Sequence, residues 1–263
     1  MSAALRPYRR PAPVLTAFWW GRVGALLDKE WAGYFTTPLA YVFLTLFLLV
    51  AGVLTFFMGN FLERGQADLL PFFNFHPWLY LVFIPALSMR LIAEERKSGT
   101  LELLLTLPIG AVQAILAKFL ACWLFCGLAL LLTVPLWITV NYLGSPDNGL
   151  ILASYLASWL CAAGFVAIGL FASALSRNQV TAFVVGVVLS FALLVGGTPL
   201  MTQLFAPWAG VLVAESVAGL SMLTHFDTLT KGLITLKAVG YFVVLVVVFL
   251  CMAAETLKAE KNA

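Results

Sequence analysis

Long apolar runs are the feature that most constrains the fold of this chain. Each run is close to or above the length of about 20 residues that a helix needs to cross the roughly 30 Å hydrocarbon core of a bilayer. Charged residues are almost absent inside the runs, and a charge placed in lipid is energetically costly. The pattern predicts an all-α integral membrane protein with six transmembrane helices, near residues 39–61, 78–93, 112–143, 150–176, 180–198 and 236–255.

The overall composition supports this prediction. Hydrophobic residues make up 62% of the 263 residues and charged residues only 10%, whereas soluble domains are about half apolar and a quarter charged. The runs lack the alternation of polar and apolar residues that marks a membrane β-barrel strand. The basic N-terminal stretch is not followed by a signal-peptide cleavage pattern, so we expect it to be retained in the cytoplasm.

Lysine and arginine are distributed unevenly between the two sides that six spans define. The side that holds both termini carries 12 of the 15 basic residues. The positive-inside rule places that side in the cytoplasm, which predicts that both termini are cytoplasmic. The residues on that side are Arg6, Arg9, Arg10, Arg22, Lys29, Arg90, Arg96, Lys97, Lys118, Arg177, Lys258 and Lys261, against Arg64, Lys231 and Lys237 on the other.

Three regions follow from this topology. Residues 1–38 form a cytoplasmic arm with an interfacial helix, residues 39–256 the six-span domain and residues 257–263 a cytoplasmic tail. The connection at about 200–235 is predicted to be external, with short helices at 211–223 and 227–233 and with Glu215 and Asp227 in solvent. Thr133, Pro135 and Asn141 predict that the long third span bends or leaves the membrane near its end.

The segment 14–35 has the pattern of an amphipathic helix. Apolar residues recur at steps of three and four, while polar residues group on another face. Aromatic residues beside basic ones are typical of a helix that lies in the lipid headgroup layer. The alternative is that this helix packs on the cytoplasmic end of the protein itself. The residues expected to mark the interfacial helix are Trp19, Arg22, Lys29, Glu30 and Trp31.

A charged segment separates the second and third apolar runs. Residues 90–97 hold Arg90, Glu94, Glu95, Arg96 and Lys97.

The residues that follow this segment predict a short helix. Ser98 or Thr100 can cap its start, and Gly99 permits a reversal of the chain. Pro108 ends the helix and can open the next one. Two apolar turns between charged ends are suited to docking into a groove of a partner. The alternative is a re-entrant turn that contacts no partner.

The same segment resembles the permease subunit of type-2 ABC exporters, whose pattern reads roughly EERxxGTLExLLxxPI. Two further stretches match that family, one from Lys29 to Tyr41 and one from His225 to Gly232. The resemblance covers nearly the whole chain and is closest to the gliding-motility-type permeases. Thr235 and Lys237 depart from it, since those relatives often carry an acidic residue and an arginine there. The matching residues of the first motif are Glu94, Glu95, Arg96, Gly99, Thr100, Leu101, Glu102, Leu104, Leu105, Pro108 and Ile109.

This resemblance implies a half-transporter. Two permeases, identical or paralogous, would associate and dock two ABC-type ATP-binding subunits, and the resemblance leaves room for an auxiliary extracytoplasmic subunit. The helix at about 98–108 would be the coupling helix seated on the ATPase. The docking residues that this implies are Glu94, Glu95, Arg96, Lys97, Gly99, Thr100, Leu101, Glu102, Leu104, Leu105 and Pro108.

The chain itself is expected to hold no cofactor, metal or catalytic residue. It contains no GxxxxGK[ST] phosphate-binding loop, so ATP and Mg²⁺ are expected in the partner chain. Membrane lipids are the other expected partner, and no nucleic acid is expected.

Other functions are less compatible with these residues. A membrane protease is disfavoured because His76 and His225 are both predicted to be external and no GxSxG motif occurs. The alternative to an ABC permease is a channel or secondary transporter that does not use ATP, although the spans carry almost none of the ionisable groups of ion-coupled carriers. An uncharged lining favours a lipid-like, polymeric or other amphipathic substrate. The resemblance to type-2 ABC exporters implies a bacterial inner membrane and a contact between two permeases at their first and fifth spans.

Overall fold

The computed structural model describes residues 14–101, 110–198, 201 and 219–262. Within these residues every regular element is a helix, which confirms the all-α prediction. We number the α-helices in chain order, and a π-helical turn at Leu54–Met58 extends α2. The helices are α1 (Val14–Thr36), α2 (Pro38–Val53), α3 (Leu70–Asn74), α4 (His76–Ser88), α5 (Arg90–Lys97), α6 (Ala111–Leu131), α7 (Val134–Leu143), α8 (Asn148–Leu175), α9 (Gln179–Val195), α10 (Met222–Thr230) and α11 (Leu236–Asn262).

Five helical segments of the described chain are long and apolar enough to cross a membrane. They are Ala40–Met58, His76–Lys97, Ala111–Leu143, Asn148–Leu175 and Leu236–Glu260.

These segments coincide with the first four predicted spans and the last. In the fifth predicted span, α9 has 17 residues, or about 25 Å at 1.5 Å per residue, which is shorter than the bilayer core. Most of residues 199–218 lie outside the described part of the chain, so the count of six spans stays a prediction.

The bundle is built around α8. This helix packs against α4, α6, α9, α10 and α11. All ten residues from Cys161 to Leu170 are buried, and six of them are Ala, Gly or Cys. Small residues let helix backbones approach closely, which is how helices in a membrane gain dispersion energy without a hydrophobic driving force between them. The central turns of α8 therefore lie in protein rather than in lipid.

The third predicted span is interrupted where the sequence indicated. α6 ends at Leu131 and α7 begins at Val134. Thr133 Oγ1 donates a hydrogen bond of 2.6 Å to the carbonyl oxygen of Leu130, and Pro135 lies in the first turn of α7. Because proline has no N–H for the helical ladder, a new helix begins there instead of the old one continuing.

The helix predicted at 227–233 is wrong in position. α10 spans Met222–Thr230 because Ser221 Oγ caps its start, accepting from the Thr224 N–H at 3.4 Å. Gly232 follows with φ +79°, a conformation that favours glycine and ends the helix. The helix predicted at 211–223 lies mostly outside the described residues.

Asp227 is partly buried rather than fully solvated. Met222, Phe226 and Leu229 of the same helix are buried, because α10 packs against α8. Burial raises the pKa of the Asp227 carboxyl above its ordinary value, and the Lys231 ammonium opposes that shift. Glu215 lies outside the described residues.

Both histidines are buried in the bundle, and their predicted place on the external side stays a prediction. His76 is 0% exposed and His225 8%. His76 Nδ1 and Ser158 Oγ share a hydrogen bond of 2.6 Å, and the Tyr80 hydroxyl lies 2.6 Å from the same oxygen. The Phe72 ring packs against the His76 ring with centroids 4.3 Å apart. This polar cluster joins α4 to α8 inside the bundle.

We predict that Gly169→Ala destabilises the contact between α4 and α8. A Cβ at Gly169 would lie 1.9 Å from Ser88 Oγ and 3.0 Å from Ser88 Cβ, so the helices must separate, at about 1–3 kcal/mol for an overpacked core. The midpoint of thermal unfolding of the purified protein in detergent measures the loss.

Two further variants control for this effect. Gly52→Ala adds a Cβ that meets nothing within 4 Å, so its unfolding midpoint should not fall below the wild-type value, since alanine also has the higher helix propensity. Adding Ser88→Gly to Gly169→Ala removes both clashing atoms and should recover part of the loss. An unchanged midpoint for Gly169→Ala alone would contradict the predicted close approach.

Candidate functional site

The charged residues of the segment 90–97 lie at one end of the bundle. We define the basic end by the charged groups that meet there: Glu30, the residues of α5 (Arg90–Lys97), Lys118 and Glu260. The helices that contribute are α1, α5, α6 and α11, and the last turn of α8 joins them.

The start of α5 is fixed by a serine from α8. The Ser173 hydroxyl accepts hydrogen bonds from the backbone N–H groups of Ile92 at 3.1 Å and Ala93 at 3.0 Å. The same hydroxyl donates to the carbonyl oxygen of Met89 at 2.9 Å. The first N–H groups of a helix have no partner within it, so Ser173 acts as a cap supplied by a neighbouring helix. α5 is therefore attached to the central helix at its first turn.

Glu95 binds Lys118, a buried lysine of α6. Lys118 Nζ lies 2.8 Å from Glu95 Oε1 and 2.9 Å from Glu30 Oε1. The Lys118 side chain is 2% exposed, and the two carboxylates are 15% and 18% exposed. Since a buried ammonium is tolerated only when it is paired, Lys118 holds α1 and α5 against α6.

The rest of α1 also packs on α6. Val23 and Leu26 are buried, and the Tyr34 ring stacks on Phe125 with centroids 4.8 Å apart. The opposite face is open, with Trp20 60% exposed and Lys29 exposed. One face of α1 thus packs on the protein, which agrees with the alternative that this helix packs on the end of the bundle. The other face is exposed and can contact a membrane surface.

Arg96, next in sequence to Glu95, turns to the other side of α5. Its guanidinium donates to the carbonyl oxygens of Ala174, at 2.8 Å, and Ser176, at the end of α8. Two further N–H groups bind the Glu260 carboxylate, at 2.8 Å from Nε and 2.6 Å from Nη2. Consecutive residues of the motif therefore connect α5 with α1 and α6 on one side and with α8 and α11 on the other.

The chain reverses directly after α5. Gly99 has φ +73°, as the predicted reversal requires. Ser98 Oγ and Thr100 Oγ1 both donate to the carbonyl oxygen of Glu95, at 3.2 and 3.3 Å. These hydroxyls thus bind the end of α5, where the sequence suggested a cap on the next helix. Thr100 and Leu101 are helical, and Leu101 is 4% exposed.

A cavity of about 300 Å³ lies between α1, α5 and α6. Its walls include Lys118 and its two carboxylate partners, Glu30 and Glu95. They also include the i,i+4 pair of Arg90 with Glu94, whose closest atoms are 2.7 Å apart. Glu95 Oε2 is buried with no hydrogen-bond partner among the described residues. A buried carboxylate oxygen beside a polar cavity of this size has room for bridging water.

The predicted docking residues differ in whether they are exposed or bound by other helices of the protein. Glu94 keeps 46% of its side chain exposed and Lys97 is exposed, so both can reach a partner. Glu95 and Arg96 are engaged by the protein's own helices. The residues Glu102, Leu104, Leu105 and Pro108 lie outside the described part of the chain.

The residues predicted to mark the interfacial helix also differ in their contacts and exposure. Glu30 is turned to Lys118, whereas Lys29 is exposed. The Trp31 ring packs edge-on against Phe35 with centroids 5.4 Å apart. Arg22 is partly exposed, and the Trp19 side chain lies outside the described residues.

Sequence analysis missed Lys118, Ser173 and Glu260 as members of this site. Lys118 was counted only as a basic residue at the start of a span. The available signal was its position eight residues into an apolar helix, where an unpaired charge is costly and a partner is required. Ser173 and Glu260 carry no such signal, because their roles depend on which helix ends meet.

Comparison with known proteins gives one family. The model of the family described as ABC-2 family transporter protein matches residues 69–260, which is well over half of the chain. No curated protein matches the chain.

We predict that Lys118→Met strongly destabilises the basic end. The change leaves two buried carboxylates facing each other without a cation, and breaking a buried ion pair costs about 3–5 kcal/mol. Thermal unfolding of the purified protein measures the effect. Lys258→Met is the matched control, because Lys258 is 46% exposed and paired only with Glu255 on its own helix.

Neutralising the whole network should reverse the loss. The triple variant Lys118→Met, Glu30→Gln, Glu95→Gln removes the unpaired charges and should unfold at a higher temperature than Lys118→Met alone. If Lys118→Met unfolds at the same temperature as Lys258→Met, the network does not hold these helices together.

Proposed function

Since this chain belongs to the ABC-2 family of transporter proteins, we propose that it is one half of an ATP-driven exporter, in which two permease chains are powered by two separate ATP-binding subunits. Membership of the family makes the chain an integral membrane transport subunit and the permease of an ABC transporter. Within the family we place it closest to the gliding-motility-type permeases, on the residues of the charged motif and the stretch from Lys29 to Tyr41.

The basic end is proposed to face the cytoplasm of a bacterial inner membrane. The support for this orientation is the positive-inside rule, since basic residues are concentrated on the side that carries α5. Both termini would then be cytoplasmic, and the open face of α1 would lie against the lipid headgroups. ATP and Mg²⁺ would bind the partner ATPase, so this chain would bring no nucleotide chemistry of its own.

The observation that carries the proposal is the attachment of α5 to α6, α8 and α11, and through Lys118 to α1. Thr100 and Leu101, which are helical, follow α5 after a single reversal at Gly99. We assign the coupling helix to about 98–108, with Glu94 and Lys97 as exposed flanking contacts for the ATPase. Glu95 and Arg96 then act inside the permease, because their partners are on α6, α8 and α11, and Lys118 links Glu95 to α1. A push on the coupling helix is thereby transmitted beyond the second span.

The contact between two permeases is proposed to involve α2 and α9. Both helices present apolar side chains away from the bundle, among them Leu49 at 62% exposed and Val180 at 66%. Neither helix contains a charged residue. A seam lined by such faces favours a lipid-like, polymeric or other amphipathic substrate over a small ion. The second permease would be an identical copy or a paralogue.

We predict that Leu104→Asp uncouples the permease from its ATPase. A charge on the apolar face of a docking helix would be buried without a partner in the groove of the ATPase. In vesicles that contain the full complex, the variant should lower co-purification of the ATP-binding subunit and the stimulation of its ATP hydrolysis by about tenfold or more, as for the loss of a central interface contact.

Leu233→Asp is the matched control for this experiment. Leu233 is 59% exposed in the turn that precedes α11, far along the chain from the coupling helix assigned to about 98–108. The same change there should leave co-purification and the stimulation of ATP hydrolysis at wild-type values. If Leu104→Asp retains assembly and stimulation, the coupling assignment is wrong. Ion flux through vesicles that hold the permease alone would instead support the alternative of an ATP-independent channel.

A further inference from the structure

The last helix ends against α5, and this contact is not required by its role as a membrane span. α11 continues to Asn262, and its apolar residues Ala253, Ala254 and Leu257 are buried near that end. Glu260 lies one turn further on, where its carboxylate receives two hydrogen bonds from the Arg96 guanidinium. The polar end of the helix is thus held in one defined place.

Arg96 supplies hydrogen-bond donors to the end of α8. The last turn of α8 contains no basic residue of its own, and the final carbonyl groups of a helix carry partial negative charge and have no partner within the helix. The Arg96 guanidinium donates to the carbonyl oxygen of Ala174, in the last turn of α8, and to that of Ser176, the residue that follows the helix. This positions its remaining N–H groups toward Glu260. The Arg96 side chain is 16% exposed and that of Glu260 is 37% exposed.

We propose that Arg96 and Glu260 form a clamp through which the C-terminal end of α11 moves together with α5 when the coupling helix moves. In this arrangement Arg96 is a positioning residue, and Glu260 is the point at which the last span is attached to it. The inference rests on the proposed function, since the motion it transmits is the one that the ATPase imposes on the coupling helix.

The geometry explains why an arginine is needed at this position. A guanidinium offers five N–H groups in a planar fork, which bind two carbonyl oxygens and a carboxylate at once. A lysine ammonium carries three donors at a single atom and cannot reach all of these partners. Arg96→Lys keeps the charge but loses the connection between the three helix ends.

The first test measures ATP hydrolysis by the full complex in vesicles of phosphatidylethanolamine and phosphatidylglycerol. Glu260→Gln keeps the size of the side chain and removes its charge, and it should lower the permease-stimulated rate by roughly two- to fivefold, as for a partly exposed ion pair. Glu255→Gln is the control, because Glu255 is 69% exposed and paired only with Lys258 on the same helix. The control should hydrolyse ATP at the wild-type rate.

Combining the variants separates a clamp from two unrelated effects. If Glu260 acts only through Arg96, then adding Glu260→Gln to Arg96→Lys lowers the rate no further than Arg96→Lys alone, because residues that share one interaction are not additive. Glu260→Asp should recover part of the rate. Full additivity of the two changes, or equal rates for Glu260→Gln and Glu255→Gln, overturns the clamp.

A second measurement follows the motion itself. A spin label at Lys258→Cys, with Cys251→Ser to remove the other exposed thiol, should change its mobility when ATP is added to the complex. Glu260→Gln should abolish that change while the subunits stay assembled, a result that a merely stabilising ion pair does not give. A nucleotide response that persists in Glu260→Gln overturns the clamp.

The outcomes distinguish this inference from the function on which it rests. A wild-type permease that neither binds an ATP-binding subunit nor stimulates its hydrolysis contradicts the proposed function, and the clamp with it. A wild type that does both, together with Glu260→Gln behaving as Glu255→Gln, contradicts the clamp alone.

Discussion

A buried cation with two carboxylate partners is the interaction on which the basic end depends. Lys118 lies inside α6 with 2% of its side chain exposed, and an ammonium that has lost its water must be paired where it stands. Glu30 and Glu95 meet this requirement from two different helices. The positions of α1 and α5 follow, because neither can shift without leaving a buried charge unpaired. The cavity beside the network and the reversal at Gly99 are arranged around these fixed points.

The helices are held together by different interactions in the middle of the bundle and at the basic end. In the middle, small residues of α8 let the neighbouring helices approach closely, and close packing of backbones provides the attraction. At the basic end the helices are connected through Ser173, Lys118 and Arg96, whose partners are polar groups of other helices. The uncharged α2 and α9 take no part in these ion pairs. The result is a block of helices joined by charges, beside two uncharged helices that contact it through packing and through hydrogen bonds such as that from the Tyr41 hydroxyl to the carbonyl oxygen of Phe35.

Particular residues show how far the sequence could be interpreted. Thr133 and Pro135 predicted the break between α6 and α7, and Gly99 predicted the reversal after α5, because each has a local effect on the backbone. The burial of His76 could not be predicted, since nothing near it in sequence reveals Ser158, its partner 82 residues away. For Glu95 and Arg96 the sequence indicated charge at the end of a span, and the motif suggested contacts with a partner chain, which stay a prediction. Within the described residues these two side chains have partners 23 and 164 residues away along the chain.

The sequence by itself determined that this chain is helical and membrane-embedded, and that its charges lie together at the end of the second span. Those properties depend on run lengths and on the cost of charge in lipid, which act within short stretches of chain. Only the tertiary structure decided that Glu95 faces Lys118 while Arg96 faces the ends of α8 and α11. That choice depends on which helix ends are brought within about 3 Å of each other, the range of a hydrogen bond, and packing around α8 sets it.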